Sequence, residues 1–220
     1  MSSKNNIAGI IFFGSMWGML EATLGAILHI THLPYTGAVM FGIGALLMST
    51  GLRVYKPENA VGFTLSMGLV ASSIKGLNVL LPGEIMTFLV VLRPMMAIII
   101  EALGYGLAAS LMKQGFYAGN KTGAAAAALG SYLGYGGFAL VFTYLHLGSN
   151  YWLDKTLAEL SGIIAVEGSV SALFCVLTTL LGFRTAEAVR ILQKRLENSM
   201  FFYPTLTLAV IGCWIVGALW

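Results

Sequence analysis

The chain has 220 residues, 58% of them hydrophobic and only 10% charged, with a mean hydropathy of +0.85. A soluble domain carries about 25% charged residues, so the composition excludes an aqueous globule and points to one compact membrane domain. The formal net charge is +3, and the bases are spread through short loops rather than massed, which argues against nucleic acid as a partner.

Lys4 precedes an apolar run from Ile7 that imitates a secretion signal. That run is long, contains Glu21, lacks a clear small-residue cleavage site and is followed at once by more apolar stretches, so it is expected to stay as the first helix. A helix needs about 20 apolar residues to cross the hydrocarbon core. On that measure the sequence predicts spans near 7–29, 35–52, 60–81, 86–112, 123–145, 159–183 and 202–220. Pro34, Pro57, Pro82 and Pro204 stand at or beside proposed ends, where a missing N–H is tolerated, while Pro94 lies inside the fourth span and predicts a kink. Residues 146–158 form the longest outer loop, with Tyr151 and Trp152 suited to the interface. In residues 184–198, Val189, Leu192 and Leu196 share one helical face among several bases, which predicts a helix lying on the cytoplasmic surface. Cys175 and Cys213 fall in apolar stretches and read as small packing residues rather than a disulfide.

The fold class expected is therefore an all-α integral membrane protein of about seven transmembrane helices, a single multi-pass domain of the cell membrane. With seven spans, Lys4, Arg53, Lys56, Lys113, Lys121, Arg184, Arg190, Lys194 and Arg195 lie on one side, and only Lys155 lies in a loop on the other. Basic loops stay in the cytoplasm, so the N-terminus is expected inside and the C-terminus outside. Six or eight spans would scramble that asymmetry.

Glu21, Lys75, Arg93, Glu101 and Glu167 lie within proposed spans. A charge at the bilayer centre costs about 2.5–3.5 kcal/mol on insertion scales, so such residues normally face a partner or a wet cavity. With the orientation applied, they converge on the outer half of the membrane, joined by Asn78, one turn from Lys75. Structural ion pairs, such as Lys75 with Glu21 and Arg93 with Glu101, would explain some of them. Five ionisable groups at similar depth exceed what packing needs, and they predict a small-ligand or ion site. His29 and His32, spaced i, i+3 at the end of the first helix, would reach one metal if the helix continued, but two ligands do not complete a site. No cofactor is otherwise expected.

Gly14, Gly18, Ala22 and Ala26 recur every fourth residue along the first helix. Such a stripe lets another backbone approach closely, either within the chain or from a partner protein. Gly130, Gly134 and the Ala124–Ala128 run do the same in the fifth span, where internal packing is expected. A small helical protein of six or seven spans, with this stripe and with polar residues facing an outward pocket, resembles the substrate-capture (S) components of energy-coupling-factor transporters. The resemblance is one of architecture. It implies that Gly14, Gly18, Ala22 and Ala26 contact a coupling subunit, that partner ATPase subunits supply the energy, and that the ligand binds near the outer face. The family favours alanine where this chain has glycine, and the chain adds a seventh helix and lacks a Met-His-Ile start.

Other classes lack their marks. There is no GxSG nucleophile, HExxH motif or P-loop, and Asp154 is the only Asp, so an enzyme is not expected. The sequence thus predicts a substrate-binding subunit or small transporter for a polar, vitamin-like or zwitterionic molecule, held by Glu21, Lys75, Asn78, Arg93, Glu101 and Glu167. The alternatives are an ion- or proton-coupled carrier acting alone and a membrane enzyme using Glu/His acid–base chemistry.

Overall fold

The computed structural model describes residues 3–77, 88–144, 155–196 and 202–219. Every regular element among them is an α-helix: α1 (Ser3–Ile30), α2 (Thr36–Tyr55), α3 (Ala60–Leu77), α4 (Phe88–Leu111), α5 (Lys113–Ala118), α6 (Asn120–Tyr144), α7 (Leu157–Leu196) and α8 (Phe202–Leu219). Six of them, α1, α2, α3, α4, α6 and α7, are long and apolar enough to cross a membrane, and α8 adds the shorter apolar stretch Pro204–Leu219. Six of the seven expected spans thus have a helix of spanning length among the described residues, the seventh corresponds to the shorter apolar α8, and the short α5 is an addition. Asn78, Pro82, His146, Tyr151 and Trp152 lie outside the described residues.

The outer surface is that of a membrane protein. Leu173, Leu177 and Leu181 repeat every four residues along α7 and are each more than half exposed, at 60%, 57% and 53%. A continuous apolar row of that kind is unfavourable against water and costs nothing against lipid chains. Inside, α2 is the enclosed helix, with thirteen of its twenty residues buried. It packs against α1 and α7, and Phe41, Met48 and Leu52 join Trp17, Met67, Ile98 and Tyr105 in the core.

Lipid tails are as apolar as leucine, so helix association here depends on close van der Waals contact. Gly14 and Gly18 provide it between α1 and α3. A methyl group on Gly14 would lie 2.8 Å from the Met67 carbonyl oxygen, and one on Gly18 would lie 2.7 Å from that of Ala71. Ala22 continues this face and is fully buried, while Ala26 is half-buried. At its glycines the small-residue stripe is therefore filled by α3, which is the within-chain alternative of the two that the stripe allows. The α4–α6 seam is equally tight, since a methyl on Gly104 would lie 2.6 Å from the Gly134 nitrogen.

Side-chain pairings give the helix directions. Gly14 and Gly18 meet successive turns of α3, so α1 and α3 run the same way. Trp214 donates its indole N–H to Ser15 Oγ at 2.9 Å, and Gly217 sits against Met19, so α8 also runs alongside α1 in the same direction.

Two further expectations change. Residues 184–196 do not form a separate surface helix, because α7 continues through them as one 40-residue helix. No Pro or Gly interrupts α7 between Phe183 and Leu196, and Val189 packs against the core from within the extension. The first helix does not continue through His32 either. α1 ends at Ile30, and His32 adopts a left-handed backbone with φ 51° in the turn beyond it. Pro94 falls inside α4, which runs through it as one helix. Both cysteines are free.

Candidate functional site

The interior charges come from three helices. On α1, Trp17 and Glu21 are one turn apart. Trp17 is fully buried against α2, where a methyl on Gly44 would lie 2.7 Å from its Cζ2. The indole N–H makes no hydrogen bond of normal length, and the group it acts on is the Glu21 carboxylate. Glu21 in turn interacts electrostatically with Lys75, in the last turn of α3, and with Glu101 on α4. All three are half-buried. The α1–α3 glycine contacts put Lys75 beside Glu21, because Gly18 already meets Ala71 and Ile74 one turn earlier.

Glu101 is held where α4 and α6 press together. A methyl on Gly134 would lie 3.2 Å from the Glu101 Cα and 2.7 Å from the Phe41 ring. The Glu101 carboxylate also acts on the Cys175 thiol of α7, which brings a fourth helix to the cluster. One turn deeper on α4, the Tyr105 hydroxyl bonds Thr179 Oγ1 at 2.7 Å, with both residues buried, and ties α4 to α7 below the charges.

Glu167, on α7, accepts a hydrogen bond from the Tyr135 hydroxyl of α6. It also lines a cleft of about 440 Å³ with Tyr35, Lys155, Glu159, Gly162, Ile163 and Val166. Glu159 closes a capping box at the start of α7: its carboxylate accepts the Thr156 N–H at 2.8 Å and the Thr156 hydroxyl at 2.9 Å, while Thr156 Oγ1 accepts the Glu159 N–H at 3.3 Å. This carboxylate thus has a structural duty as well as a place at the cleft.

Of the residues expected at the site, the structure brings together Glu21, Lys75 and Glu101 and puts Glu167 in the cleft. Arg93 is half-buried and lies eight residues before Glu101 on α4, a rise of about 12 Å, so it stands at a different level. Asn78 is outside the described residues. Among the described residues, no group of three or more His, Cys, Asp or Glu side chains could hold a metal, and α1 ends at Ile30, before His32. Sequence reasoning missed Trp17, Tyr135 and Cys175. Uncharged residues in apolar helices stand out only through their register, and Tyr135 and Glu167 meet across helices that sequence spacing does not relate.

Fold and site together define a multi-pass, all-α protein of the cell membrane that carries ionisable groups into its interior. No family model, curated protein or solved structure matches the chain.

Proposed function

We propose that this protein is a small membrane transporter that takes a small zwitterionic or amine-bearing polar molecule from the outer side. The observation that carries the proposal is the convergence of Glu21, Lys75 and Glu101 from α1, α3 and α4 on one interior region. Two acids and one base leave one negative charge uncompensated when all are ionised. Lys75 suits a ligand carboxylate, and the acids suit a ligand amine. The cleft ending at Glu167 is the entrance in this reading. A seven-span topology, with the N-terminus inside and the C-terminus outside, puts the cleft on the outer face. The basic inner loops and the common direction of α1 and α8 support that topology.

Transport by this chain alone is favoured over docking to a coupling subunit through the α1 stripe, because α3 already occupies Gly14 and Gly18. The energy-coupling architecture is the second reading, with any ATPase partner docking on another face.

Mass spectrometry of small molecules co-purifying with the protein tests the site. Wild-type protein should carry a polar compound that Lys75→Met and Glu21→Gln lose while staying monodisperse. If both variants instead melt lower and keep the compound, the charges are structural pairs, whose disruption costs about 3–5 kcal/mol. Uptake of the identified compound into liposomes by the chain alone separates a carrier from a capture subunit.

A further inference from the structure

The seam between α6 and α7 carries two buried hydroxyls that the function above does not use. Ser131 and Ser171 are fully buried, and neither hydroxyl has a hydrogen-bond partner. Among the described residues, the Tyr117 and Thr143 hydroxyls share that state, but many others do not. Thr23, Thr64, Ser73 and Thr178 all satisfy their hydroxyls on carbonyls four residues back in their own helices, the ordinary solution for a hydroxyl in a helix. Ser131 and Ser171 instead turn toward the Cys175 thiol, on which the Glu101 carboxylate also acts. An orphaned buried hydroxyl costs about 1–3 kcal/mol, and two side by side next to a carboxylate mark a place built for something with oxygen-seeking chemistry.

The register supplies a way in. Tyr135 is one turn from Ser131 on α6, and Glu167 is one turn from Ser171 on α7. The Tyr135–Glu167 hydrogen bond is therefore the next rung of the same seam. Glu167 lines the open cleft, so the serines lie about 6 Å of helix rise beneath its floor. Glu101 joins from α4, whose backbone touches α6 at Gly134, one turn from Ser131.

We propose that Glu101, Ser131 and Ser171 form a binding site for a dehydrated sodium ion. The donors are one carboxylate and two hydroxyls, all hard oxygens, which suit an alkali or alkaline-earth cation rather than a soft metal. Charge selects between those two. With the cation in place and both acids ionised, Glu21, Lys75 and Glu101 sum to one negative charge, and adding Arg93 and Glu167 leaves the sum unchanged. One monovalent cation neutralises the interior, whereas a divalent ion would overshoot it. The inference builds on the transport reading and assigns its coupling ion, with Glu21 as the link, because it faces both Glu101 and Lys75.

The test needs no organic ligand. Protein in nanodiscs is melted at constant ionic strength while choline chloride is exchanged for sodium chloride. The melting temperature should rise saturably with sodium, and E101Q and the S131A/S171A double variant should weaken the sodium midpoint about tenfold or more. The serine variant gives up only the approach of the two hydroxyls to the Cys175 thiol, and its melting temperature without sodium, compared with wild type, reports whether the fold is kept. S169A, whose hydroxyl bonds Tyr132 at 2.6 Å, should respond to sodium as wild type does. An equal response to sodium and choline overturns the proposal, as does an unchanged midpoint in S131A/S171A. Stabilisation that follows pH alone also overturns it in favour of a proton on Glu101. A sodium response in a protein that carries no organic compound would remove the ligand reading and leave this one standing, and the converse result would do the reverse.

Discussion

At Gly18 even one methyl group would press on the Ala71 backbone, because the α1–α3 approach leaves no room for it. Gly18→Leu is therefore expected to lower both yield and melting temperature, by about 1–3 kcal/mol or more in stability, as read by thermal unfolding in detergent. A folded variant of wild-type stability that had lost only uptake would return the stripe to a partner's service. The sequence shows the stripe but not its occupant, since a glycine row reads the same whether the neighbouring backbone belongs to the same chain or to another. Charges were more legible. Glu21, Lys75 and Glu101 stood out because each is costly in lipid, and the structure gives them one another. Ser131 and Ser171 carry no such signal, because a serine in a helix usually satisfies itself. At the far end of α2, the Arg53 guanidinium lies 3.9 Å from the centre of the Phe183 ring, with Glu187 nearby. Phe183→Leu should cost about 0.5–1 kcal/mol through this contact, measured against Arg53→Met in a double-mutant cycle.

Among the elements, α7 departs most from expectation. Its apolar portion and its basic amphipathic portion looked like two helices because their compositions differ. Composition reports the surroundings of a segment, and continuity depends on whether anything interrupts the backbone. Nothing between Phe183 and Leu196 does, as that stretch has neither Pro nor Gly. Spin labels at positions 181 and 192 should accordingly report the separation of one straight helix, about 16 Å along the axis. A distance clearly shorter than that would indicate a bend at the membrane surface. The start of α7 was legible in principle, since Thr156 and Glu159 stand at the spacing of a capping box. Thr156→Ala should destabilise that end by about 1 kcal/mol, seen as faster amide exchange in the first turn.

At the scale of the whole molecule, the six helices of spanning length and the shorter α8 follow from apolar window length, which the bilayer thickness dictates. The packing order does not follow from it, because the spans are apolar on most sides and a small-residue stripe does not say which helix fills it. Topology is the most exposed expectation. A reporter fused after Trp220 should be extracytoplasmic and one between residues 113 and 122 cytoplasmic, and finding both on one side would remove the outward site. A consequence of α7's length concerns mechanics. Forty residues make a rod of about 60 Å, roughly twice the hydrocarbon thickness, with Glu167 near its first end and Arg190 near its last. A rod cannot tilt at one end only. Pivoting it about its middle by about 10° would swing each tip through about 5 Å, so any closure of the cleft around its contents is written, reversed in direction, on the opposite side of the membrane.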